Sequence, residues 1–281
     1  MKLIGPELLR ERLLRREDAS HKGDYGHLLL VCGCDTMPGA AVLATGAALK
    51  SGCGLVTLHS TESACQAAVP MFPSAMLSRD SGCCFSQLPA NLEKYSCIGA
   101  GPGLGKAEQS RNALSMLLEV AQGLSIPMVL DADALNIISE NRRLLDSIPA
   151  GSVLTPHIGE LKRILPGWRD GDDGMIQELC ENTGCILVRK GFHTQVFTPS
   201  GEIFTNTTGN PGMAKGGSGD VLTGLLAGLI ARGYDSLTAA VLAVWVHGFT
   251  GDHMTATCTA EAYSSLDLIP ALPLAFRELY R

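Results

Sequence analysis

The chain has 281 residues, 46% apolar and 18% charged, enough for one large α/β domain with a sizeable core. Its formal charge of −6 leaves no basic stripe to neutralise a nucleic-acid backbone, so an anionic ligand must be held locally, by backbone N–H groups and a few Lys and Arg. Ten cysteines include no Cys-x-x-Cys and no paired Cys/His ligand spacing, which reads as reduced core residues rather than disulfides or zinc ligands.

The first 18 residues are charged throughout and lack the apolar core and cleavage site of a secretory signal. No segment reaches the roughly 18 consecutive apolar residues of a membrane span, so a cytoplasmic protein with no membrane partner is expected. Residues 7–16 have the spacing of a basic amphipathic helix, expected to pack on the domain edge. An alternation then begins. HLLLVC at 27–32 is a strand, CDTMPG a turn, residues 40–50 a small-residue helix and GLVTLH at 54–59 a second strand, the signature of a βαβ unit. YSCIGAG at 95–101, a helix over 107–122, PMVLDAD at 127–133 and SVLT at 152–155 continue it, with another helix starting near Ile158. Near-continuous apolar strands imply a parallel sheet covered by helices on both faces. From Gly184 the rhythm changes to CILVRKG, HTQVFTPSG and EIFTN, which predicts antiparallel strands appended at an edge. After Asp220 the chain reads as helix, with long helices over 237–253 and 264–280.

The stretch GNPGMAKGGSGDVLTGLLAGLIARG at 209–233 carries the most chemistry. Gly209, Gly212, Gly216, Gly217 and Gly219 precede one acid, Asp220, and the remainder is apolar at helical spacing, so a loop feeds a helix. Bare backbone lets successive N–H groups converge on an anion, and the helix start adds its free N–H groups and positive dipole end. Phosphate is the natural occupant. Asp220 would stand beside that negative charge, an arrangement poor for affinity and suited to a general base; a helix cap at Ser218 or Asp220 is the plainer alternative.

Ligands of open α/β sheets bind beyond the carboxyl ends of the strands, where this sequence places Gly101, Gly103 and Gly105, then Asp131, Asp133 and Asn136, then Thr155, His157 and Glu160, then Arg189, Lys190 and His193. Thr155 followed by Pro156 also reads as an ordinary helix start. His157 and Glu160 alone are weak evidence for zinc. Asp131 and Asp133 either hold magnesium through water or cap loops. GPGLGK is not a P-loop, neither Gly-rich segment fits G-x-G-x-x-G, and GSGD is not a nucleophile elbow.

Seven segments in order, HKGDYGHLLLVCG, MPGAAVLATGAALKSGCGLV, GPGLG, VLDADALN, LTPHIGEL, RKGFHT and the 209–233 stretch, resemble the ADP-dependent NAD(P)H-hydrate dehydratase family of the ribokinase-like superfamily. The resemblance spans nearly the whole chain. It implies a ribokinase-like three-layer α/β sandwich, with a mostly parallel central sheet between helices, as one domain over residues 1–281. It further implies removal of water from the S form of NADHX or NADPHX using ADP or ATP, with Mg2+: the ring hydroxyl is phosphorylated and phosphate is then eliminated.

By position, the family's hydrate site would hold Ala40, Gly103, His157 and Asp220, with Asp220 as the base. Its nucleotide site would hold Lys190, Gly191, Phe192, His193 and Thr194, with Gly216, Gly217, Ser218 and Gly219 at the phosphates; no protein metal ligands are assigned. A homo-oligomer is implied, a tetramer among the options. Some members carry an epimerase domain; here the chain starts with the dehydratase part, so epimerisation is expected from a separate protein.

Lys215 stands where the family often has Thr or Ser, and PHIGE replaces the commoner PHPGE, so Lys215 either adds a phosphate contact or points to solvent. A related kinase of a hydroxymethyl-pyrimidine or thiazole alcohol would share GSGD, and a non-catalytic nucleotide sensor would keep the glycines without needing Asp220. HKGDYG and MPGAA favour the hydrate enzyme.

Overall fold

The apolar runs become the strands of one ten-stranded sheet in the computed structural model, which describes residues 1–281. The first half of the chain runs β1 (Lys2–Ile4), α1 (Pro6–Arg10), β2 (His27–Val31), α2 (Pro38–Ala48), β3 (Leu55–Thr61), α3 (Glu62–Ala68), β4 (Met76–Asp80), β5 (Cys97–Ala100) and α4 (Glu108–Gly123). Next come β6 (Met128–Leu130), α5 (Ala132–Glu140), β7 (Val153–Leu154), α6 (Ile158–Ile164), α7 (Asp173–Thr183) and β8 (Ile186–Arg189). The last part is β9 (Gln195–Phe197), β10 (Ile203–Asn206), α8 (Ser218–Ala231), α9 (Ser236–Thr257) and α10 (Ser265–Leu279).

The sheet order is β1-β10-β9-β8-β7-β6-β5-β2-β3-β4, with only β9 antiparallel to its neighbours. Each central strand is apolar on both faces because both are covered. Leu28 and Leu30 of β2 enter one core cluster, under α2, α8, α9 and α10; Leu29 and Val31 enter the other, under α4, α5, α6 and α7. Truncating such a fully buried Leu to Ala costs about 2–5 kcal/mol. Strand order reverses between β5 and β2, which opens a crevice at their carboxyl ends.

Two expectations are corrected, and three elements were not foreseen. The helix over 7–16 stops at Arg10, because the following chain is bound extended: Leu14 N donates to the Tyr234 hydroxyl at 3.1 Å, Arg232 donates to Leu14 O at 2.8 Å and Arg16 to Gly52 O at 2.6 Å. The cap of α6 is His157, not Thr155: His157 Nδ1 accepts from Gly159 N and Glu160 N at 2.9 and 3.3 Å, while Glu160 Oε2 accepts from His157 N at 2.9 Å. Edge strands β1 and β4 carry no apolar run, and the sequence reading passed over both, as it did α7.

Candidate active site

The carboxyl ends of β6, β7, β8 and β10 open into a cleft of about 740 Å³ that also takes in the start of α8 and the middle of α9. The β7–β8 ladder extends past both strands, with His157 bridging Lys190 and Lys190 N donating to Pro156 O at 2.9 Å, which sets these two side by side. Lys190 Nζ donates to Asp131 Oδ1 at 2.6 Å and stands 3.9 Å from Glu160 Oε2. Asp131 is buried and fully engaged: Oδ1 also accepts from Ala132 N at 2.8 Å, and Oδ2 accepts from the Thr223 hydroxyl of α8 at 2.7 Å. It therefore caps α5, fixes Lys190 and ties α8 to the sheet. Asp133 accepts from Gly105 N at 2.9 Å, anchoring the loop after β5. Asp131 presents no free oxygen to a cation, whereas Asp133 keeps Oδ1 without a hydrogen bond, and no three His, Cys, Asp or Glu side chains converge as a metal cage.

Asp220 is the third residue of α8, behind the N-cap Gly217. Its carboxylate has no hydrogen-bond donor within the protein. Burial, then the charge of Asp131, raises its carboxyl from 3.8 to about 6, with Lys190 opposing and Asp133 adding a little. A carboxylate so placed is a stronger proton acceptor than an ordinary aspartate, and it stays ionised at neutral pH. Behind it Cys32, at the end of β2, is kept protonated by burial and by Asp220 itself.

The opposite wall is built by the loop after β10. Asn206 Nδ2 donates to Val244 O at 3.1 Å, Gly209 N to Asp252 Oδ2 at 2.8 Å and Asn210 Nδ2 to Asp252 Oδ1 at 2.9 Å, so residues 206–210 are fastened to α9. His247 of α9 lies 3.3 Å from the Ser218 hydroxyl; burial first, then Lys190, lowers its pKa to about 4 and keeps it neutral. Sequence reading missed Asn206, Thr208, Asn210 and His247, all of which line the cleft. His247 had a signal, a lone polar residue in AVLAVWVHG; the Asn/Thr loop had none beyond its neighbouring glycines.

His157, Lys190 to Thr194, Ser218, Gly219 and Asp220 all line the cleft, with Phe192 exposed and stacked on His193 at 3.9 Å between ring centroids. Gly216 and Gly217 do not line it. Gly217 adopts φ +90°, and a Cβ there would overlap Leu43 Cδ1 of α2, so its role is to turn the chain into α8 against α2. Ala40 and Gly103 also fall outside, at the β2–β5 crevice, where a Cβ on Gly103 would come within 2.7 Å of Ala40 Cβ. Lys215 lines the cleft, and its Nζ is held by backbone carbonyls rather than free in solvent: it donates to Ala260 O at 2.8 Å, Glu261 O at 3.3 Å and Tyr263 O, over the Tyr263 ring.

A sequence profile for NAD(P)H-hydrate dehydratase matches residues 28–274. The chain belongs to that family. It is 34% identical to the ADP-dependent (S)-NAD(P)H-hydrate dehydratase of Bacillus subtilis, covering 94% of this chain and 95% of that one. It is 35% identical to a bifunctional NAD(P)H-hydrate repair enzyme of Moorella thermoacetica, covering 99% of this chain but 54% of the relative, so it spans about half the length of such bifunctional members. The crystal structure of the B. subtilis ADP/ATP-dependent NAD(P)H-hydrate dehydratase, co-crystallised with ATP/Mg2+, superposes with a TM-score of 0.84 at 30% identity over 99% of this chain and 98% of that one. A ribokinase-like superfamily protein of Enterococcus faecalis gives 0.88 at 28% identity, over 99% and 96%. The three-layer fold is thus ribokinase-like. No helix is long and apolar enough to cross a membrane.

Proposed function

We propose that this hydrate dehydratase family member converts the S forms of NADHX and NADPHX to NADH and NADPH at the expense of ADP or ATP. The observation that carries the reading is Asp220: an unpartnered carboxylate, raised to about 6, at the start of a helix that faces a nucleotide-sized cleft. Asp220 takes the proton of the ring hydroxyl, whose oxygen attacks the terminal phosphorus; the bond from that phosphorus to the departing nucleotide breaks. Lys190 and the Gly219 N–H group hold the charge of transfer. Inorganic phosphate then leaves with the C–O electron pair, a proton leaves the neighbouring ring carbon, and the double bond of NAD(P)H returns.

The hydrate ring stands between Asp220, His157 and the Ala40–Gly103 crevice, and the nucleotide lies along residues 190–194 and the 206–210 wall. A phosphate-borne Mg2+ fits this chemistry, since that ion keeps several waters and takes few protein ligands; Glu160, of which only one oxygen accepts a backbone hydrogen bond, would face it. Bound there, the ion neutralises phosphate charge. In this reading the protein acts as a homo-oligomer in the cytoplasm, and an NAD(P)HX epimerase activity supplies the S hydrate. Purified protein incubated with ADP or ATP and hydrated NADH should restore the NADH absorbance; a kinase of another alcohol would not, and a nucleotide sensor would consume nothing.

A further inference from the structure

His247 enters the cleft from the middle of α9 and takes no part in the transfer described above. It is buried and rigidly held. Asn206 Nδ2 donates to the Val244 carbonyl at 3.1 Å and the Thr208 hydroxyl to the Trp245 carbonyl at 3.2 Å, while a Cβ at Gly248 would overlap Thr208. The helix is thus pressed against the cleft wall at this residue. With its pKa lowered to about 4, first by burial and then by Lys190, the ring is uncharged at neutral pH and has one N–H donor and one acceptor nitrogen.

Ser218 faces it as the first residue of α8. Its backbone N–H already donates to Lys215 O at 3.3 Å, so the hydroxyl is the one donor it can turn to a ligand. That hydroxyl has a single partner in the protein, His247 Nε2 at 3.3 Å. Either the serine gives its proton to the ring and is lost to the cleft, or the ring gives a proton to the serine oxygen and sends the hydroxyl proton outward. The ring also bonds the Ser218 carbonyl, which only accepts, so its edge toward Ser218 carries the proton. The serine oxygen then accepts from Nε2–H, and its own proton is left to the cleft. Lys190 Nζ lies close by, 3.3 Å from where a Cβ on Gly219 would stand.

Resting on the dehydratase reading, we propose that His247 is a positioning residue, which holds the Ser218 hydroxyl so that its proton points at the phosphoryl group in transfer. The hydroxyl joins Lys190 and the Gly219 N–H as a donor fixed before charge develops there. His247 touches no reacting atom and acts only through Ser218. A double-mutant cycle tests this with two readouts: turnover of hydrated NADH with ATP, and calorimetric binding of ADP and Mg2+ with and without aluminium fluoride, which stands in for the phosphoryl group. The parent should bind ADP more tightly with the fluoride than without it. Ser218→Ala should lower turnover about 100-fold and remove most of that tightening, while ADP alone binds within about twofold of the parent. His247→Leu should cost about tenfold in turnover, and His247→Gln, whose amide N–H falls where Nε2–H stands, should restore most of it. Adding His247→Leu to Ser218→Ala should cost no more than about a further twofold, because one residue acts through the other. Should His247→Leu not fold, His247→Asn, whose amide is too short to reach Ser218, takes its place in the cycle. Losses that multiply, a His247→Gln protein as impaired as His247→Leu, or a parent with no fluoride-dependent tightening would each overturn the assignment. A hydrate left unconverted while the fluoride complex behaves as described would count against the dehydratase reading alone.

Discussion

Replacing Asp220 with Asn separates a base from a helix cap. Asn keeps the size of the side chain and removes the proton acceptor. A positioned general base contributes roughly 10²- to 10⁴-fold, so dehydration of hydrated NADH should fall by at least about 100-fold. Stability should move the other way. Folding raises this carboxyl from 3.8 to about 6, so the ionised form is disfavoured in the folded state. The stability it lends is complete below pH 3.8 and is lost as pH rises through about 6. At about 1.4 kcal/mol per pH unit, the ionised side chain costs at most about 3 kcal/mol at neutral pH, set against roughly 0.3–1 kcal/mol regained from the helix dipole. Asp220→Asn should therefore melt at or above the parent temperature at pH 7.5, with the gain disappearing near pH 4. ADP affinity should hold or rise, because a negative charge beside the phosphates has gone. Turnover within a few-fold of the parent, together with a lower melting temperature at pH 7.5, would refute the assignment and make the acid a cap.

Asp131→Asn removes the second contributor to the raised Asp220 carboxyl and leaves Lys190 free beside it, so the acidic limb of the pH–rate profile should move below its parental midpoint of about 6; an unmoved limb would mean that Asp220 does not set it. Gly219→Ala puts a methyl 3.3 Å from Lys190 Nζ and should weaken ADP binding severalfold by calorimetry, whereas Gly216→Ala, with nothing within 4 Å, should leave both binding and melting unchanged. Gly217→Val should lower the melting temperature outright through its overlap with Leu43, so it reports on folding rather than on phosphate. Thiol titration of denatured, unreduced protein should find all ten cysteines free.

The parallel half of the sheet was legible because strands buried on both faces have to be apolar throughout, as in HLLLV and MVL. Edge strand β4, MLSRD, pairs on one side only and buries little beyond Asp80, so nothing in its pattern announced it. Within the site, Asp220 and Lys190 were marked by glycines and by position after a strand. The division of labour among the glycines was not. Whether a given Gly meets ligand or protein depends on what another segment brings against it, here Leu43 against Gly217 and Lys190 against Gly219. Lys215 was open for the same reason, since its carbonyl partners lie 45 to 48 residues away.

The crossing of α2 and α8 bears on how this protein is made. Gly224 fits so closely that a Cβ would overlap the Ala44 carbonyl, and Gly228 likewise meets Ser51, so α8 is seated on α2 backbone to backbone. The two helices are separated in sequence by six strands of the parallel sheet and by the β9–β10 hairpin. A chain emerging from the ribosome therefore carries α2 with its small-residue face bare through most of synthesis, and such distant pairing is slow to find because the loop must close before the contact repays it. Asp220 enters position only when that groove is filled, so activity should be the last property to return on refolding, after the β2–β3 unit has already regained its structure.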